Sequence, residues 1–186
     1  MRIWFSGVDF IMDEVYLVSR SKNGDKSAFA ALVDMYQNKL YRTACCIIGN
    51  SDDAYDALQD CVLKAYISIG ALRNDYYFKY WINRILINSC NDIIRHRKKV
   101  IYIDDTEFME ETDSYDVAGL DVRMAMDKLD SKYKLILSLR FYQDLSYEDI
   151  AETLNCPVGT VKSRLNYALR KLRDSMDKTG SKEVGR

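Results

Sequence analysis

Between Val158 and Arg173 the chain carries five Lys/Arg and no acidic residue, and its apolar residues recur at helical spacing. Val161, Leu165, Ala168, Leu169 and Leu172 share one face, while Thr160, Lys162, Ser163, Arg164 and Tyr167 share the other. Such a face can read DNA. Arg164 or Lys162 can hydrogen-bond guanine edges, and Thr160 or Ser163 can meet a phosphate or a thymine methyl. A second concentration of related chemistry lies upstream. Tyr76, Tyr77, Phe78, Tyr80 and Trp81 adjoin a stretch, Lys79 to Lys99, with six Lys/Arg against the lone Asp92. Aromatics beside basic residues can stack unpaired bases. Phe78 and Trp81 also fit a buried stripe, which leaves Tyr76, Tyr77 and Tyr80 as the freer platforms.

Other chemistries lack their parts. One histidine, His96, cannot serve a metal cluster or a nucleophile–base pair, and there is no glycine-rich phosphate loop. No enzyme, cofactor, metal or small-molecule substrate is expected. Cys45, Cys46, Cys61, Cys90 and Cys156 are odd in number, never form a CxxC, and mostly lie in line with apolar residues. They read as reduced thiols of a cytoplasmic protein. No apolar run approaches membrane-spanning length. Residues 1–11 (MRIWFSGVDFI) are too short and poorly flanked for a signal peptide, and they stop where a periodic pattern begins at Met12. Translation is expected to start there, with residues 1–11 a non-native or disordered extension.

The surrounding elements follow from periodicity and breakers. One proline in 186 residues favours long helices. A short helix is expected around Glu14 to Ser21. A long one carries Phe29, Leu32, Val33, Tyr36, Leu40, Ala44, Ile47 and Ile48, and Gly49-Asn50 ends it. Ser51 can cap the next, in which Ala54, Ala57, Leu58, Cys61, Val62, Ala65 and Tyr66 are the inner stripe. After a loop at Gly70 to Asp75, a third strong helix buries Phe78, Trp81, Ile82, Ile85, Leu86, Cys90, Ile93 and Ile94. Its outer face then holds Lys79, Asn83, Arg84, Asn88, Asn91 and Arg95. Residues 12–99 thus make one helical domain. Residues 100–121, with eight Asp/Glu and no base from Ile103 to Asp121, read as an acidic flexible linker. Residues 122–176 form the second domain and 177–186 a frayed tail. The fold class is all-α, two small helical domains on a tether.

Within the second domain, Leu129 to Phe141 is helical with Asp130 as cap. Ser146 to Asp149 fits a capping box, and Ile150, Ala151 and Leu154 give a short helix. Asn155 tolerates a left-handed turn and Pro157 suits a first helical turn. This is a helix-turn-helix, whose second helix enters a major groove through its N-terminal half.

On these motifs the chain resembles a known family. DDAYDALQD is similar to the second helix of sigma-factor region 2, and YWINRILINSCNDIIRHRKK resembles its promoter-reading helix through Trp81, Ile85, Asn88, Cys90, Asp92 and Arg95. LDSKYKLILSLRFYQDLSYEDIAETLNCPVGTVKSRLNYALRKLR resembles region 4 almost end to end. With no bulky segment between them, the pair resembles the extracytoplasmic-function group of RNA polymerase sigma factors. Taken alone, Asp53, Asp56, Gln59 and Asp60 read as a solvated acidic face, but the resemblance implies that they bind core RNA polymerase. It implies that Arg73, Asn74, Asp75, Tyr76, Lys79, Asn83, Asn88 and Arg95 serve the −10 element. Arg140, Thr160, Lys162, Ser163, Arg164 and Tyr167 would serve the −35 element, Arg140 through a phosphate. Promoter DNA and a membrane-anchored anti-sigma factor are the other implied partners, the latter able to hold the protein at the membrane in an envelope-stress response. Two positions depart from the family: Tyr167 stands where an arginine is frequent, and Asn155 replaces a common glycine. A conventional repressor or activator shares the helix-turn-helix, but would bind duplex tightly on its own.

Overall fold

The computed structural model describes residues 7–101, 125–126 and 128–183, and the side chains of 14–97, 125–126 and 128–175. Four helices make the first domain: α1 (Gly7–Lys22), α2 (Lys26–Ile48), α3 (Ser51–Ser68) and α4 (Phe78–Ile101). Short 3-10 turns at Ile69–Ala71 and Asp75–Tyr77 link α3 to α4. The second domain holds α5 (Ser131–Phe141), α6 (Tyr147–Thr153) and α7 (Val158–Glu183). The acidic linker lies outside the described residues.

Local signals set most boundaries. Asp25 caps α2 by accepting from the Ser27 and Ala28 amides at 2.9 and 3.1 Å, and Arg20 of α1 pairs with the same carboxylate. Gly49 ends α2 at φ +83°, donating its amide to the Cys45 carbonyl at 2.9 Å. The cap of α3 falls one residue earlier than expected: Asn50, not Ser51, accepts from the Asp53 amide. Helix α1 starts at Gly7 and passes through Met12 without a break, and α7 continues past the expected end at Met176. Asp130 occupies the N-cap of α5 but makes no capping bond, and its carboxylate sits 4.0 Å from Lys132.

Small residues let α3 lie close to its neighbours. Ala54, Ala57, Cys61 and Ala65 are fully buried, against Leu32, Leu40 and Ala44 of α2 and Leu86 and Cys90 of α4 in one core. Phe78 is sealed in by an edge-on contact with Tyr36 at 5.6 Å. Each large side chain so buried stabilises the fold by about 1.5–3 kcal/mol. Burial also pushes the Cys61 and Cys90 thiols up to about 12.

In the second domain the capping box forms as its sequence predicts. Ser146 Oγ accepts from the Asp149 amide at 3.1 Å, and Asp149 accepts from the Ser146 amide at 3.0 Å. Asn155 turns the chain at φ +49°, and Pro157 precedes α7, its carbonyl accepting from Thr160 and Val161. The two domains are in contact. Helix α5 packs on α2, α6 packs on α4, and one hydrophobic cluster runs from Val18 to Ala168.

The Asp25 cap carries a pH signature. Its hydrogen bonds from Ser27 and Ala28, with Arg20 beside it, lower the carboxyl from 3.8 to about 2. The ionised cap therefore stabilises the fold above pH 3.8, and that contribution is lost as pH falls through about 2. Urea midpoints of wild type should drop more steeply across that window than those of Asp25→Asn; parallel profiles would remove the assignment.

Candidate nucleic-acid interface

Exposed residues on α4 form a single line. Arg84, Asn88, Asn91 and Arg95 follow at i, i+4, i+7 and i+11, and all four face outward. Asn88, Asn91 and Arg95 join Lys64 of α3 around a groove of about 430 Å³. Lys64 pairs with Asp60 at 2.6 Å and reaches Asp92 at 3.5 Å. Burial raises the Asp60 carboxyl, but the bonds from Lys64 and Ser89 outweigh it and hold its pKa below the usual range.

Asn83 is a correction. It is fully buried rather than exposed, with Nδ2 donating to the Lys79 carbonyl at 2.8 Å. The buried side of α4 is wider than a simple stripe, taking in Ile82, Asn83, Leu86, Ile87, Ser89 and Cys90. An amide there cannot meet DNA unless the core opens.

A second groove, of about 320 Å³, lies at the start of α4, lined by Arg73, Asn74, Tyr77, Tyr80, Trp81 and Arg84 among others. Its loop is shaped by its own side chains. Asn74 Oδ1 accepts from the Tyr76 amide at 3.1 Å, and Asp75 accepts from Lys22 of α1 at 2.7 Å. Those two residues hold the loop, which leaves Arg73 and Tyr76 exposed beside it. Tyr77 and Tyr80 meet edge to face at 5.6 Å. Lys79 is half-buried, and burial depresses its ammonium pKa, with Lys39 adding to the effect.

On α3 the acidic face divides. Asp56 and Gln59 are exposed, whereas Asp53 pairs with Arg97 of α4, and Asp60 pairs within α3 with Lys64, which reaches Asp92 of α4. Periodicity reasoning missed an apolar component on the same exposed side: Tyr55, Leu63 and Ile67, the last 75% exposed. The signal was present, because 55, 59, 63 and 67 repeat every four residues outside the buried stripe.

In the second domain Lys162 and Ser163 are exposed at the start of α7, and Thr160 and Arg164 are partly so. Ser163 Oγ donates to the Thr160 carbonyl at 3.0 Å. Arg140 donates to the Leu145 carbonyl at 3.0 Å and lies over the Tyr147 ring, whose other cation is Lys162. Tyr167 stacks on Tyr133 with centroids 4.6 Å apart, and Arg170 and Lys171 approach its ring. Basic groups thus surround a helix-turn-helix whose lead helix faces solvent.

Known proteins share both parts. The chain matches the family described as Sigma-70 region 2 over residues 32–100, and Sigma-70, region 4 over residues 125–174. It is 33% identical to the RNA polymerase sigma factor SigV of Bacillus subtilis (strain 168), covering 86% of this chain and 97% of that protein. Against the ECF RNA polymerase sigma factor SigW of the same organism the identity is 31%, covering 86% and 94%. The fold is similar to that of the sigma factor RpoE in complex with the anti-sigma factor NepR from Bartonella quintana, with TM-score 0.73, 24% identity, and coverage of 80% and 96%. It is also similar to CnrH in complex with the cytosolic domain of CnrY, with TM-score 0.69, 21% identity, and coverage of 89% and 98%. The two matched regions, in this order along one chain, define a sigma-70-type initiation factor. The chain belongs to the extracytoplasmic-function (ECF) RNA polymerase sigma factors, which are non-enzymatic and direct core polymerase to promoters. Among the described residues no helix is long and apolar enough to cross a membrane.

Proposed function

We propose that the two domains of this sigma factor divide promoter reading by the state of the DNA. The first meets the −10 element as a melted strand, and the second meets the −35 element as duplex. The observation carrying this division is the contrast between the two surfaces. The first sets the exposed Tyr76 and Tyr77 beside Arg73 at the start of α4, which suits splayed bases. The second presents a helix-turn-helix lead helix, which suits a major groove. Arg73, Tyr76, Arg84, Asn88, Asn91 and Arg95 are the strand contacts, with Asn74 and Asp75 shaping the loop and Lys79 joining them once it is uncovered. Thr160, Lys162, Ser163 and Arg164 are the duplex contacts, with Arg140 and Tyr167 flanking them.

Core polymerase docks on the exposed face of α3. Asp56 and Gln59 supply polarity there, Tyr55, Leu63 and Ile67 supply apolar area, and Asp53 and Asp60 brace the helix from behind. Such a mixed patch is what a protein interface needs at its centre and rim. Two structurally similar proteins are seen with regulatory partners, NepR and the cytosolic domain of CnrY. An anti-sigma factor, membrane-anchored and released by an envelope signal, is accordingly the regulator we assign to this chain in the cytoplasm. The acidic linker runs along polymerase channels that otherwise hold nucleic acid.

Three measurements test the assignment. Run-off transcription with sigma-free core polymerase and DNA upstream of the gene should give one defined transcript that requires this protein; no transcript overturns it. Asp56→Ala with Gln59→Ala should weaken core binding in a pull-down titration while the thermal midpoint stays put, and unchanged affinity removes the α3 face. Arg164→Ala should weaken −35-dependent initiation by about 1–3 kcal/mol, the worth of one base contact. Wild-type behaviour of that variant on every promoter would mean the register of the recognition helix is different.

A further inference from the structure

We infer that Lys22, in the last turn of α1, is a positioning residue for the loop that receives a splayed strand base, an inference that rests on the reading of Arg73 and Tyr76 as strand contacts. Helix α1 lies wholly ahead of the segment matched to region 2, residues 32–100. It nevertheless packs on both 3-10 turns that flank this loop, Ile69–Ala71 and Asp75–Tyr77. Across that contact Lys22 Nζ donates to Asp75 Oδ1 at 2.7 Å. The two side chains keep only 25% and 23% of their exposure, so water screens this pair less than it screens a surface pair.

Lys22 is itself held in place. Ser21 beside it is buried and donates Oγ to the Leu17 carbonyl at 2.7 Å. Asn23 closes the helix end, its amide donating to the Arg20 carbonyl at 3.0 Å and its Nδ2 to the Ser19 carbonyl at 2.9 Å. Gly24 then turns the chain at φ +88°, and Arg20 pairs with the Asp25 cap of α2. The ammonium therefore projects from a fixed corner.

A second anchor lies on the far side of the loop. Tyr36 of α2 donates its hydroxyl to the buried Glu14 of α1, and its ring meets Phe78, the first residue of α4, edge-on. The loop thus runs from Asp75, tied to the last turn of α1, to Phe78, tied through Tyr36 to an earlier turn of the same helix. Arg73 and Tyr76 stand exposed on either side of Asp75 in the chain, so fixing Asp75 fixes where both project. Charge adds to geometry. Asp75 is a carboxylate on a surface that has to accept a phosphate-bearing strand, and Lys22 draws that charge toward α1 and balances it.

The test uses the full chain assembled with core polymerase. The probe is a labelled single strand bearing the −10 element of the promoter mapped by run-off, intact or with an abasic site at one position at a time. Wild type should lose about tenfold in affinity when the received base is removed, the worth of one stacked base. Lys22→Met should bind the intact strand about tenfold more weakly and lose little more at that abasic position. Lys22→Arg should restore both. On an Asp75→Ala background, itself weakened on the intact strand, Lys22→Met should add nothing, because both act through one bond. Affinity for core polymerase and for a −35 duplex should stay at wild type, which a general loss of fold would not allow. Unchanged strand affinity in Lys22→Met would overturn the inference. So would an abasic penalty as large as in wild type, or an undiminished effect on the Asp75→Ala background. If Arg73→Ala with Tyr76→Ala leaves intact-strand binding unchanged, the strand-contact reading fails instead.

Discussion

Helix α4 is core on one side and a line of exposed polar groups on the other, and the packing of the first domain holds it in that attitude. Phe78, Ile82, Leu86 and Cys90 fix its roll angle against α2 and α3. That fixed roll is what keeps Arg84, Asn88, Asn91 and Arg95 in one outward line. Any looseness in the inner contacts would appear outside as a rotation of that line. The alanines of α3 serve the same end, because a bulkier face would push α4 outward.

Electrostatics adds a second layer of support. Asp53, Asp60 and Asp92 are not simply decoration of a basic helix. Through Arg97 and Lys64 they link α3 to α4.

Much of this was legible in residue order alone. Gly49, Asn50, the Ser146 box and Asn155 are local devices whose effect depends on residues within a turn, so sequence reads them to within one position. Asn83 was misread because a polar amide inside a helix resembles a solvated one until the width of the buried face is known. Gln143 was invisible for a different reason: its partner Thr43 is 100 residues away in sequence. Nothing in a loop motif reveals that its tip will be buried by another domain. The exposed apolar residues of α3 escaped notice because apolar periodicity was assigned to a single inner stripe, whereas this helix has two.

Five cysteines might suggest a protein vulnerable to oxidants, yet the two deepest are chemically quiet. With burial pushing their pKa up to about 12, Cys61 and Cys90 stay protonated at neutral pH. Closed, the first domain offers an oxidant little to attack at these two positions. Alkylation of these thiols becomes possible only when water reaches them. Their modification therefore reports opening of the contact between α3 and α4, where both thiols are buried.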